Sequence, residues 1–348
     1  MVNDTLQCLY SENLVVPDRL PLTLQWINGI SYVTLALILL FANTLVIISL
    51  KKQQYNDRNN INDNDSRKSF QLLMTHLSVA GLLLIVFLMA TPGYAIPYSY
   101  YIYPHGHIGD VFCRFIDSEY CIHVLCYTSL MIATTISFKR WLAVARPHVF
   151  QFTVKKLKFR LVMIVIWLVE PLLCIEFILG DVFVQITYSP CRWKYMVCNN
   201  LLADSTLFTI LEFLRFYFPV MLIVIFNIDT VRRIQTFKIR KDPETNRSDA
   251  RLFKRVVSTA ITAWLMVVLC LPDQIYYTLS VLSVIRPYRL SVHNVTKIFF
   301  VTGCSCAPFI YSLIRCEFNL KMKKKCLNLR CNLNCRHTSR SRRVSFRA

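Results

Sequence analysis

The sequence predicts an all-α membrane protein, a bundle of seven spanning helices. Three observations carry that prediction. The 348 residues are 55% hydrophobic and 17% charged, whereas a soluble domain carries about 25% charged residues. The apolar residues lie in long blocks rather than at helix or strand periods, each close to the ~20 residues that a ~30 Å hydrocarbon core requires of a helix. The basic residues concentrate between alternate blocks. Lipid offers the backbone no hydrogen-bond partner, so the blocks must be helical.

Seven blocks run over 27–50, 70–91, 111–142, 159–179, 207–231, 253–282 and 295–314. This divides the chain into a terminus (1–26), a seven-span unit (27–314) and a basic tail (315–348). The third block is the organising one. It starts near Cys113, continues through an apolar run, and ends in Lys139-Arg140-Trp141 and Arg146-Pro147. The fourth is interrupted at its far end by Glu170 and Glu176. The first 25 residues hold Asp4, Glu12, Asp18 and Arg19 with no apolar run. No cleavable signal peptide is expected there, and the first span should direct its own insertion.

Charge sets the expected orientation. With the N-terminus outside, 32 of the 40 Lys and Arg residues fall on the inner side. That asymmetry predicts an outer N-terminus and a cytosolic tail at the plasma membrane. The net charge of +20 therefore reads as a basic face toward anionic lipid and an acidic partner, not as a nucleic-acid surface. Residues 51–69 are rich in Asn, Asp and Lys and read as a flexible loop. Pro171, Pro219, Pro272 and Pro308 lie inside spans. Each removes a backbone donor, which supplies either fixed packing geometry or places where the bundle bends.

Enzyme chemistry finds no support. The chain has no glycine-rich phosphate loop, no metal-spaced histidine pair on a helix and no defensible nucleophilic triad. No cofactor is implied. A transporter would be expected to show internal repeats, and none is visible.

The marks along the spans resemble those of rhodopsin-like (class A) G-protein-coupled receptors, from the first span to the tail. They are Asn43, Leu77, Cys113, Arg140, Trp167, Pro219 in FYFPV, Pro272 in LCLPDQ, and Pro308 and Tyr311 in CAPFIY. A short amphipathic stretch with Phe318, an eighth helix by resemblance, follows. The resemblance implies an extracellular ligand and a heterotrimeric G protein as partners. It implies coupling at Arg140 and an activation switch through Pro219, Cys270, Pro272, Pro308 and Tyr311. It also implies a disulfide from Cys113 to the loop 180–206, where Cys191 and Cys198 both qualify. Cys191 is preferred because SPCRWKY reads as a hairpin edge. A bridge between Cys8 and Cys198 is a further reading.

The departures are as informative. The family's acid before the arginine is Lys139 and its tyrosine after it is Trp141. Gly81 replaces the second-span acid, Cys270 the sixth-span aromatic, Ala307 the seventh-span asparagine, and Asn227 the fifth-span tyrosine. The interval from Cys113 to Arg140 is longer than the family's by two residues. Without the second-span acid, little sodium dependence is expected. With Lys139 beside Arg140, a resting state held by packing is expected, or another contact restraining Arg140. A decoy or scaffold receptor that does not signal is the alternative.

Ionisable groups in the outer halves of spans are costly unless paired or wet. Asp117, Glu119, His123, Glu170, Glu212, Arg215, Asp273, Gln274, Tyr277 and Lys297 are the ligand-pocket candidates. The competing reading is mutual pairing, with Glu212 or Asp273 on Arg215. Ile122 stands where amine receptors of the family carry an acid, and Val301 where light-sensing members carry a lysine. Mixed charge and a long loop suit a peptide ligand; Arg215 and Lys297 leave an anion open. Asn3 heads a glycosylation sequon. Cys326, Cys331 and Cys335 follow a basic stretch and are palmitoylation candidates.

Overall fold

The apolar blocks become helices that run past the ends of the blocks. The computed structural model describes residues 21–58, 65–150, 159–183, 191–193, 202–240, 246–282 and 291–311. Helix α1 covers Leu22–Arg58 and α2 covers Asp65–Ala90. The third span combines a short α3 (Gly106–Phe112), a π-helical turn at Cys113–Asp117, and α4 (Tyr120–Ala145). The fourth joins α5 (Phe159–Leu173) to α6 (Ile175–Gly180) through a turn at Cys174. The fifth joins α7 (Leu202–Glu212) to α8 (Phe218–Arg240) through a π-helical turn at Phe213–Tyr217. Helix α9 (Asn246–Val281) is the sixth span, and α10, residues 291–311, the seventh.

Six of these spans are long and apolar enough to cross a membrane. Helix α10 is not among them; it carries His293, Asn294 and Lys297 in its first turns. The first connector departs from the expected loop: it is helical to Arg58 and again from Asp65. Lys and Gln are good helix formers, so a helix already nucleated in the apolar block propagates into polar sequence.

Helix α4 is the hub. It packs against α2, α5, α8 and α9, and Ile122, Cys126, Tyr127, Ile132 and Ala133 along it are fully buried. The outer helices instead present apolar residues away from the core, such as Ile30 and Phe41 on α1 and Leu168 and Leu172 on α5. Such a surface belongs against lipid. Asn43 on α1 donates to the Ser305 carbonyl of α10 at 3.1 Å, and Tyr32 donates to the Asn294 carbonyl at 2.6 Å. Gly303 lets α10 approach α9 closely, since a Cβ there would sit 3.0 Å from the Leu269 Cβ.

The all-helical expectation has one local exception. Strands β1 (Asp181–Phe183) and β2 (Cys191–Trp193) pair antiparallel, with Phe183 opposite Cys191. Cys191 is disulfide-bonded to Cys113 at the head of the third span. This decides between Cys191 and Cys198, and it makes the CRW segment the hairpin edge. Tyr98, Tyr101, Tyr103 and Phe112 pack around the bridge. Asn3, Cys8, Cys198, Cys326, Cys331, Cys335 and the eighth helix lie outside the described residues.

Candidate functional site

Below the disulfide, three irregular turns point ionisable side chains into the bundle. In the third span, the π turn is followed by Ser118 and then Glu119 at φ 60. Glu119 is the one non-glycine residue at positive φ among the described residues. A left-handed conformation costs an L-residue about 1–2 kcal/mol. Beyond this irregular turn helix α4 restarts with the Tyr120 N–H bonded to Ser118 Oγ at 3.2 Å. In the fourth span, the Phe177 N–H reaches back to the Cys174 carbonyl at 3.1 Å. Beyond that tightened turn, Glu176 and Phe177 are both buried. In the fifth span, the π turn carries Arg215, which is completely buried. Wide turns of this kind commonly mark functional sites.

Two ionic clusters result. The first is centred on Lys297 of α10. Its ammonium bonds Glu119 at 2.9 Å, Asp273 at 3.2 Å and His123 Nε2 at 3.1 Å. Glu119 also accepts from the Tyr94 hydroxyl and lies 2.9 Å from His293 Nε2. Asp273 accepts from Thr296 at 2.9 Å, and the Gln274 amide oxygen accepts from Tyr127 at 2.7 Å.

The second cluster is centred on Arg215. Its guanidinium donates to Glu212, and Nη2 lies 2.5 Å from Glu176. Nη1 donates to the Leu173 carbonyl at 3.4 Å. The guanidinium carbon sits over the rings of Phe177, Tyr127 and Tyr277 at 4.9, 5.0 and 5.7 Å. A cation over aromatic faces is held by their quadrupoles. Tyr277 also donates to Glu176 at 3.1 Å. Phe177 separates the clusters and stacks on His123 at 4.2 Å.

The structure thus brings together Glu119, His123, Glu212, Arg215, Asp273, Gln274, Tyr277 and Lys297. Of the two partners expected for Arg215, Glu212 is bonded to it, while Asp273 bonds Lys297 instead. Four partners escaped sequence reasoning, namely Tyr94, Glu176, Phe177 and His293. Glu176 was visible as an interruption of the fourth block. The local turn that aims it inward carries no sequence signal of its own.

At the opposite end, Arg140 faces an aromatic ring and, among the described residues, no acid: its guanidinium carbon lies 5.5 Å from the Tyr311 ring centre. Lys139 donates to Ser69 of α2 at 2.5 Å. Trp141 donates to Asp229 of α8 at 2.7 Å, and Arg233 shares the same carboxylate oxygen at 2.7 Å. Asn227 donates to Ser137 at 3.2 Å. Between the two ends lie Cys126, Cys270 and Cys304, with 3.7 Å between the Cys270 and Cys304 sulfurs. Gly81 leaves no carboxylate near Asn43; a Cβ there would meet the Asn43 side chain at 3.0 Å.

The family described as 7 transmembrane receptor (rhodopsin family) has a sequence model that matches residues 43–311, from Asn43 to Tyr311. The chain is a rhodopsin-family seven-transmembrane receptor. Search of curated protein sequences returned no match. The receptor therefore keeps the family's frame, with its disulfide-tethered hairpin above the bundle and its arginine at the far end of the third span.

Proposed function

We propose that this receptor sits in the plasma membrane with its N-terminus outside, binds an extracellular peptide at the disulfide end, and activates a heterotrimeric G protein at the Arg140 end. The observation that carries the reading is the pair of buried ionic clusters beneath the hairpin. They are assembled from the third to the seventh spans, so one ligand there touches every helix that must move. Ions paired in a low-dielectric interior are stable only while the pairing is complete. A ligand that takes one partner shifts the bundle between two packings, by its difference in affinity for them.

Arg140 is the coupling contact. It stacks on Tyr311 with no acidic partner among the described residues. An arginine held by an aromatic face is released at small cost, because such contacts are worth about 0.5–2 kcal/mol. Pro219, Pro272, Pro308 and Tyr311 are the places where the bundle bends, with Cys270 in the core between them. The seven-span unit is 27–314, preceded by an outer terminus glycosylated at Asn3. The inner tail is anchored by palmitoyl chains on Cys326, Cys331 and Cys335 together with its basic residues, since one acyl chain alone binds weakly.

The test is guanine-nucleotide exchange on a panel of G proteins by the reconstituted receptor, with and without pooled peptides. Ligand-dependent exchange that disappears in Arg140→Ala supports the reading. Ligand binding with no exchange on any G protein replaces it with a decoy receptor. Epitope tags on both termini of intact and permeabilised cells test the orientation.

A further inference from the structure

The two clusters do not balance. The buried carboxylates Glu170, Glu176, Glu212 and Asp273, with the half-buried Glu119, face two permanent cations among the described residues, Arg215 and Lys297. Both cations are already engaged. Lys297 directs its bonds to Glu119, Asp273 and His123, and Arg215 directs its own to Glu212, Glu176 and the Leu173 carbonyl. An anionic ligand would compete with acceptors already in place on both.

The acids, by contrast, have acceptors to spare, and these lie around Arg215. Glu170 is completely buried, and neither of its carboxylate oxygens has a hydrogen-bond partner among the described residues. One oxygen of Glu176 and one of Glu212 are likewise without a partner. Arg215 lies within electrostatic reach of Glu170 but does not bond it. Cys174, one turn along from Glu170 and bonded to its carbonyl at 3.1 Å, lies within the same reach of Glu170, Glu176, Glu212 and Arg215. A carboxylate buried without a donor is costly until a proton or another cation neutralises it. The surrounding rings of Phe177, Tyr127 and Tyr277, which already hold one guanidinium, suit a second organic cation.

We infer that the receptor recognises its ligand through a cationic group, guanidinium or ammonium, which seats beside Arg215 on the vacant oxygens of Glu170, Glu176 and Glu212. This rests on the ligand site proposed above and gives it a chemistry. These oxygens are closed to solvent in the structure. The cation therefore enters only when the fourth, fifth and sixth spans part at this end, which links its binding to the change of packing.

The test uses the full-length receptor in lipid nanodiscs and follows its thermal unfolding. The probes are N-acetyl-phenylalanyl-argininamide, its lysine analogue, and its citrulline twin, in which a neutral urea replaces the guanidinium. At ten times its dissociation constant the arginine compound should raise the midpoint by about 3 °C, and the citrulline twin should not. Equal action of the lysine compound assigns the site to any organic cation; a weaker action assigns it to guanidinium. Glu170→Gln should weaken the arginine compound about tenfold and yet raise the midpoint of the unliganded receptor. A purely structural glutamate would not move those readouts in opposite directions. Glu170→Asp should restore part of the binding.

Three results overturn the inference: a citrulline twin as effective as the arginine compound, no shift from either cation at millimolar concentration, or unchanged cation affinity in Glu170→Gln. Nucleotide exchange driven by a neutral or acidic peptide, with the cations silent, removes the inference and leaves the receptor function standing. A cation-dependent shift with no exchange on any G protein does the reverse.

Discussion

The two ends of the bundle hold their charges differently. At the disulfide end, Lys297 and Arg215 are buried and locked between carboxylates from other turns and helices. At the Arg140 end, Arg140 lies on the Tyr311 ring, Lys139 reaches a serine hydroxyl, and the carboxylate of Asp229 serves Trp141 and an exposed arginine. The first arrangement is strong and unforgiving, because removing one ion strands another. The second is a set of weak contacts, each replaceable. On the function proposed above, the first would serve as a sensor end that registers a new partner as a large change, and the second as a coupling end that yields to it.

Several substitutions would break or sharpen this contrast. Arg215→Leu leaves Glu176 and Glu212 uncompensated and should cost about 3–5 kcal/mol, read as the loss of a folded population in a thermal-unfolding assay. Arg140→Leu, at the other end, should cost less, about 0.5–2 kcal/mol, while abolishing nucleotide exchange. Equal losses from the two would erase the distinction between the ends. Next in size is the coupling of Lys297 to Asp273. Lys297→Met, Asp273→Asn and the double variant should show an interaction of about 1–3 kcal/mol, and simple additivity would mean the ion pair contributes nothing.

A smaller effect is expected from Trp141→Phe, which removes the donor to Asp229. It should cost about 0.5–1.5 kcal/mol and raise ligand-independent nucleotide exchange by loosening the third span from the fifth. Unchanged exchange would remove Trp141 from the resting state. The smallest effect is on sodium. With Gly81 beside Asn43 and Ser129 bonded to its own helix at 2.8 Å, replacing sodium by choline should change ligand affinity by less than about tenfold. A larger shift would require a carboxylate elsewhere in the bundle to take the ion.

Much of the fold was legible because lipid imposes a length and a polarity on every span. The hub role of the third block followed from its cysteine, its apolar run and its basic end. The residues of the two ionic clusters were legible as a set for a similar reason: an ionisable group in an apolar block must have a purpose or a partner. Their pairing was not legible. Asp273 and Arg215 both looked available to each other, and only the rotations of α9 and the fifth-span π turn send one to Lys297 and the other to Glu176. Lys139 looked like a repulsive neighbour of Arg140, and it is one; what the sequence did not show is that its side chain also reaches across to Ser69.

By itself, then, the sequence determined the number of spans, their order, the family frame and the roll of ionisable groups the bundle must accommodate. It did so because desolvation acts on each residue wherever its neighbours are. The tertiary structure alone decided which cysteine closes the hairpin, which acid meets which cation, and that Glu170 has no donor among the described residues. Those outcomes depend on the angles of a few irregular turns, at Glu119, Cys174 and Arg215, and a hydrogen bond exists or fails over a fraction of an ångström that no residue pattern encodes.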